Sequence, residues 1–315
     1  MKRFLIKGVV FLVLLAAVIG ICNFGFWRTD PYSTDKFRHI PDQLAVCNIG
    51  ASHSKYDFDY EDYPEYQTFN FALDSQSHIY DYRILDCYQE HLREGCLVFI
   101  AVSYPTILGK DETEREDFNS MNERYYTFLP RESIRNYEWK TALKMKLIPF
   151  TYASNARSIL SGLLHDRRGI QDYWQRVTTP EEAEKDAEAA YQRHVGKNRD
   201  ENGKVIYNPE ALQAIRDIVL LCQKKGAVPV LITTPVMSYY LEKVKEGEPE
   251  FYESGFREAI RRIQEETGVE YYDYSHDERF LHEYGKFMNA DHLNQIGARE
   301  FTRILMEKVS EKLPG

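Results

Sequence analysis

From Gly8 to Trp27 the chain runs through twenty residues without a charge, and Asn23 is the only strongly polar side chain among them. Coiled at about 1.5 Å per residue, that stretch spans roughly 30 Å, the thickness of a bilayer's hydrocarbon core. A helix that is apolar all round needs lipid or a very large core, so a buried soluble helix is the poorer reading. Lys2, Arg3 and Lys7 precede the run. The positive-inside rule therefore predicts a single-pass plasma-membrane protein with a cytoplasmic N-terminus, held through residues 8–27, and an extracytoplasmic main domain. A cleaved signal peptide fits less well, because the run exceeds a usual h-region and no clear A-x-A site ends it. Lipoprotein cleavage at Cys22 is disfavoured by bulky Ile21, where a small residue belongs. The expected order is an anchor over 1–28, a polar linker over 29–41 and an α/β domain over 42–315.

The formal net charge of −9 hides two opposite parts. Residues 1–28 carry Lys2, Arg3, Lys7 and Arg28 and no acid, which leaves −13 on the remainder. An acidic domain argues against nucleic acid as a partner and against a purely electrostatic grip on an anionic polymer. Of the cysteines, Cys22, Cys47, Cys87, Cys96 and Cys222, three outside the anchor fall in apolar patterns where a thiol simply packs. Free thiols are expected, although Cys87 and Cys96 are near enough in sequence to bridge.

Beyond the linker, short apolar runs over 43–49, 68–73, 96–102, 228–234 and 269–274 read as buried parallel strands. Helical spacing is predicted over 77–94, stopped by Gly95, and from the Asn208-Pro209 cap to Gly226. It recurs over 249–267, ended by Gly268, and over 294–313, with Phe301, Leu305 and Val309 inward. Strands separated by helices need right-handed crossovers into a parallel sheet. The expected fold is α/β, a three-layer α/β/α sandwich on a five-stranded parallel sheet. Residues 105–205 interrupt the alternation as a helical insertion between strands 3 and 4. They hold an aromatic and basic helical stretch over 137–164, a capped helix starting at Thr179-Pro180 and a turn at Asn202-Gly203. The charge run over 181–193 reads as a solvated face. The Tyr-rich segments (Tyr56, Tyr60, Tyr63, Tyr66; Tyr125, Tyr126) read as packing in preference to a sugar-stacking groove.

In an open parallel sheet the site lies beyond the carboxyl ends of the strands. The first strand leaves through Asn48-Ile49-Gly50-Ala51-Ser52-His53-Ser54, which puts a hydroxyl at that edge. The last strand-to-helix connection contains Asn289-Ala290-Asp291-His292-Leu293-Asn294, which puts an imidazole there. A serine and a histidine from the two ends of the sequence are the parts of a nucleophile and base pair. Each has a bland reading alone: a serine after a strand often caps a helix, and a histidine before one often faces solvent. His53 reads as a loop residue. No H-E-x-x-H or paired C-x-x-C points to a metal, and no G-x-G-x-x-G or Walker sequence points to a nucleotide, so no cofactor is expected.

Taken in order, these blocks resemble the SGNH/GDSL-like hydrolases and acyltransferases, and within them the membrane-anchored bacterial branch similar to DltD-like and exopolysaccharide O-acetylation proteins. Gly50-Ala51-Ser52-His53 is similar to the first block, with Ser52 at the nucleophile position. Phe69-Asn70-Phe71-Ala72-Leu73-Asp74-Ser75-Gln76-Ser77, continued by Tyr80-Asp81-Tyr82, looks like the second, and residues 98–104 occupy the third. The most specific string is Asp291-His292-Leu293-Asn294 with Gly297-Ala298, which places His292 as the base. The resemblance covers roughly 42–104 and 206–313. It implies the flavodoxin-like SGNH fold and an acyl-enzyme on Ser52. The implied activity is that of a serine esterase or O-acyltransferase acting on cell-envelope glycan or another acylated surface polymer, with a membrane-bound acyl-donor protein as partner.

Two departures qualify that implication. The family usually has an acid three residues before the histidine, where this chain has Asn289. That leaves Asn289 as an orienting group and Asp291 as the alternative acid, although a side chain adjacent in sequence often points away; Asp273 is a further acid. The usual oxyanion donors, a second-block glycine and a third-block asparagine, are absent, which leaves Ser75, Ser103 and Asn70 as candidates. Both departures favour a second reading, a catalytically weak or inactive SGNH-like glycan-binding or assembly protein of the envelope. A cytosolic lipase-like enzyme would require the first 28 residues to be something other than an anchor.

Overall fold

A computed structural model describes residues 1–110, 112–114, 118–152, 156–164, 174–247 and 255–313. The chain divides into two compact units, Ile40–Arg115 with Gln171–Gly315, and Met1–His39 with Glu116–Ile170. Its five strands are β1 (Leu44–Ile49), β2 (Thr68–Asn70), β3 (Leu92–Ala101), β4 (Val228–Thr233) and β5 (Glu270–Asp273). Among the described residues eleven α-helices accompany them: α1 (Lys2–Thr29), α2 (Ser52–Tyr56), α3 (His78–Tyr88), α4 (Phe118–Asn122), α5 (Trp139–Leu147), α6 (Ala156–Leu164), α7 (Pro180–Tyr191), α8 (Pro209–Lys224), α9 (Ser238–Gly247), α10 (Arg257–Thr267) and α11 (Gln295–Lys308).

In the larger unit the strands form one all-parallel sheet in the order β2-β1-β3-β4-β5. β1 is buried along its whole length, with Asn48 opposite Asn70 on one side and Phe99 on the other. A strand paired at both edges and covered on both faces favours apolar residues along its length, which is why Leu44 to Ile49 shows no alternation, with Asn48 as the one polar residue. In the core Phe58 packs against Phe99 and Phe301 at ring separations of 5.8 and 5.6 Å. Each ring contributes about 1.5–3 kcal/mol by its burial. Tyr60, Tyr63 and Tyr66 pack against the same cluster. All five cysteines are free thiols.

The strand order reverses at β1: the chain leaves it for β2 on one side and returns to β3 on the other. That is the topological switch point, where the ends of neighbouring strands open a crevice. Gly50 follows β1 at a φ of 147°, and a Cβ there would lie 2.9 Å from the Cβ of Ser54 and 3.1 Å from that of Ala101. Gly50→Ala is expected to destabilise the fold by about 2–4 kcal/mol, from backbone strain plus overpacking. Chemical denaturation measures this, and an unchanged midpoint would contradict it.

Several boundaries differ from those the spacing predicts. The helix predicted over 77–94 ends at Tyr88, and β3 starts at Leu92 instead of 96. Gly95, at a φ of 76°, sits inside the strand at a register shift between Leu44 and Val46, so it makes a bulge instead of stopping a helix. The stretch 137–164 forms two helices, α5 and α6. Ile148, immediately before Pro149, is pushed out of the helical region to φ −140°, ψ 51°. The helix predicted over 249–267 is seen from Arg257, and 248–254 lie outside the described residues. Asn208 and Thr179 do cap α8 and α7 with their side chains.

In the smaller unit, α1 is long and apolar enough to cross a membrane. The segment after it, predicted as a linker, is packed. Phe37 is buried with its ring stacked on Phe128 at 3.9 Å, and Thr127 Oγ1 donates to Thr34 Oγ1 over 3.0 Å. The early part of the insertion therefore closes onto the chain that follows α1.

Candidate functional site

Ser52 is the first residue of α2, directly beyond the switch point. Two asparagines from neighbouring strands hold that short helix in place. Asn48 Nδ2 donates to the Ser54 carbonyl (2.7 Å) and to Ser54 Oγ (2.9 Å). Asn70 Nδ2 donates to the Ser54 and Lys55 carbonyls (3.2 and 3.1 Å), and its Oδ1 accepts from Ala72 N–H. From the next loop, Gln76 Nε2 reaches the Gly50 carbonyl (3.3 Å). These bonds fix where the Ser52 hydroxyl stands.

The last block folds through its asparagines. Asn294 caps α11 by accepting the Gly297 N–H (3.0 Å). Asn289 Oδ1 accepts the backbone N–H groups of Asp291 (3.1 Å) and His292 (2.8 Å). That Asx-type turn aims the imidazole back at the sheet. His292 Nε2 lies 2.8 Å from Ser52 Oγ, a bond between residues 240 positions apart. Its Nδ1 lies 3.1 Å from Asn289 Oδ1 and 3.2 Å from Asp291 Oδ1. With the proton on Nδ1, Nε2 is free to accept from the serine hydroxyl. Leu293 N–H donates to Asp57 Oδ1 (2.9 Å), so the segment after α2 is bonded to the histidine loop.

Asp291 is the electrostatic centre of this arrangement. Besides His292, it lies 3.5 Å from His53 Nε2 and 3.6 Å from His194 Nδ1, at ion-pair distances instead of aligned hydrogen bonds. Burial alone would raise its pKa, but the imidazoles of His292, His53 and His194 outweigh it and hold the carboxyl well below the usual range. For His292 burial acts to lower the pKa, yet the adjacent Asp291 carboxylate prevails and raises it above that of an ordinary imidazole. Burial lowers His194 to about 4, so that ring is neutral, and its Nδ1 lies 3.1 Å from Tyr240 OH. His53 stacks on His292 with centroids 4.7 Å apart, and Tyr56 meets His292 edge-on at 5.7 Å. A carboxylate beside one nitrogen and a hydroxyl beside the other is the geometry of nucleophilic acyl transfer.

The remaining predicted residues are placed as follows. Both amide hydrogens of Asn70 are engaged by α2 carbonyls, so it positions the helix and does not face a reacting oxygen. Ser103 follows β3 and gives its N–H to Thr106 Oγ1 (3.1 Å), and Ser75 stands exposed at a φ of 50°. Asp273 turns to Ser275, accepting from its N–H (2.9 Å) and Oγ (2.6 Å). His53, read as a loop residue, is buried against Asp291. Ligand atoms of His53, Asp291 and His292 lie within 4.8 Å of one another, the spacing a cation would use. Engaging either His292 nitrogen there would break its bond to Ser52 or to Asn289.

Sequence reasoning missed two residues. His194 sits on a π-helical turn (Gln192–Gly196) about a hundred positions from the motif, and no local pattern marks it. Asp57 is fully buried, and burial raises its pKa to about 6 against the charges of His53 and His292. A carboxyl whose folded pKa is raised favours the folded state only while protonated, so its stabilisation is lost as pH rises from 3.8 through about 6. At about 1.4 kcal/mol per tenfold change in proton affinity, the wild type should lose roughly 3 kcal/mol from this group. Asp57→Asn is expected to remove most of that loss when denaturation midpoints at about pH 4 and about pH 7 are compared. Parallel pH dependence in the two proteins would refute it.

No known family model matches the chain, and no curated protein matches it.

Proposed function

We propose that the chain is a membrane-anchored, extracytoplasmic serine esterase or O-acyltransferase of the SGNH-like type. The carrying observation is the 2.8 Å contact of Ser52 Oγ with His292 Nε2, with an ionised Asp291 beside the other ring nitrogen. As Oγ attacks an acyl carbonyl, His292 takes the hydroxyl proton and the carbonyl electron pair moves onto oxygen. Collapse of the tetrahedral adduct expels the alcohol, which receives that proton from His292 and leaves an ester on Ser52. Water or a sugar hydroxyl, deprotonated in turn by His292, then takes the acyl group and restores the serine. Asp291 stabilises the imidazolium formed in each half-reaction. The backbone N–H of Ser52, in the first turn of α2, serves as an oxyanion donor in this reading, with Ser75 or Ser103 completing it.

The substrate class follows the family resemblance: a cell-envelope glycan or other acylated surface polymer, with a membrane-bound acyl-donor protein supplying the group. In this reading α1 spans the membrane with its N-terminus in the cytoplasm. Asp291 favours catalysis over a purely glycan-binding role, because it supplies the carboxylate that the Asn289 substitution had removed from the motif. A fluorophosphonate probe tests the proposal on the full-length protein. Labelling that disappears in Ser52→Ala is expected, and a folded protein that takes no label would overturn it.

A further inference from the structure

We infer that α5 and α6 lie in the headgroup region of the anionic bilayer that α1 crosses, an inference that rests on reading α1 as a membrane span. All three helices belong to the smaller unit. On α5, Trp139, Leu143 and Leu147 recur at every fourth position, so they share one face, and they are 48–65% exposed. The buried residue, Met145, is on the opposite face. On α6, Leu160 and Leu164 are four apart and are 55% and 67% exposed. Two amphipathic helices with leucine and tryptophan turned outward are unusual on a water-facing surface.

Their contacts with α1 say what covers them. A Cβ on Gly25 would lie 2.7 Å from the Ile159 carbonyl, and one on Gly162 would lie 2.0 Å from the Gly25 carbonyl. The α1 and α6 backbones therefore touch, as small residues allow in membrane helix pairs. Asn23 Nδ2 donates to the Leu147 carbonyl (2.9 Å), which ties in the end of α5. Gly25 lies two residues, about 3 Å along the helix, inside the end of the uncharged run. Both helices thus meet the span where hydrocarbon gives way to headgroups. Their charge suits that level: they carry Lys140, Lys144, Lys146 and Arg157 and no acid, in a chain whose net charge is −9. Apolar residues flanked by lysine, with a tryptophan, are the composition of a helix lying about 5–10 Å into an anionic interface.

The test uses full-length protein carrying Trp27→Phe and Trp174→Phe, which leaves Trp139 as the single tryptophan. It is reconstituted in vesicles of equimolar phosphatidylcholine and phosphatidylglycerol, with or without bromine on the upper acyl chain. At least about twofold quenching of Trp139 by the brominated lipid is expected at that depth. Leu143→Glu with Leu147→Glu should abolish the quenching while the protein still resists alkaline carbonate extraction. Equal Trp139 emission in both vesicles overturns the inference, whether or not carbonate releases the protein. Quenching in a chain that carbonate does extract rejects the span and so overturns the inference as stated, because the two helices then bind the interface without α1 crossing it.

Discussion

Asp291→Asn is expected to lower kcat for an activated aryl ester by about 10³- to 10⁴-fold, the loss seen when the orienting acid of a serine triad becomes an amide. The substitution keeps the shape of the side chain but removes the charge that, in the proposed mechanism, stabilises an imidazolium beside Ser52. Asn289→Ala should cost far less, on the order of tenfold, because it loosens the turn and leaves the carboxylate in place. The two variants should also differ in pH dependence. His292 acts as a base only when neutral, so activity falls as pH drops through its raised pKa. Without the Asp291 charge, burial remains and favours the neutral ring, so in Asp291→Asn the fall shifts to lower pH. A profile of kcat/KM against pH checks both statements. Activity of Asp291→Asn within a few-fold of wild type, on an unshifted profile, would remove Asp291 from the mechanism.

Replacing both Ser52 and His292 should be no worse than replacing either. Each of Ser52→Ala and His292→Gln is expected to lower kcat by about 10³-fold or more, and the double variant by about the same factor, because the two side chains act as one unit. Multiplicative losses would mean that they contribute independently, as substrate-binding groups do. Far-UV circular dichroism of the three variants separates loss of chemistry from loss of fold.

The residues that topology alone brings together were the readable part of the site. Ser52 leaves β1 and His292 precedes α11, and a parallel sheet sends both exits to one edge, so a hydroxyl and an imidazole at strand ends needed no knowledge of side-chain direction. The orientation of Asp291 was not readable, because it depends on Asn289 accepting two successive backbone N–H groups and thereby turning the neighbouring carboxylate toward the ring. His194 and Asp57 carry no local signature, since their roles come from burial beside charged groups distant in sequence. The strands β1, β3 and β4 were legible because burial on both faces leaves continuous apolar runs. Gly95 misled because a positive φ serves a bulge as readily as a helix end. The segment over 29–41 misled because its composition is polar while Phe37 and Thr34 are what pack.

The central claim is that Ser52 carries the acyl group, and the most direct measurement is to find that group on the protein. Full-length protein mixed briefly with an aryl acetate, quenched in acid and digested should yield one acetylated peptide, with the ester on Ser52. The modification should be absent from Ser52→Ala and should disappear from wild type once the ester is consumed. Turnover of the ester with Ser52 unmodified at every time point, or an acetyl group on another side chain, would contradict the account.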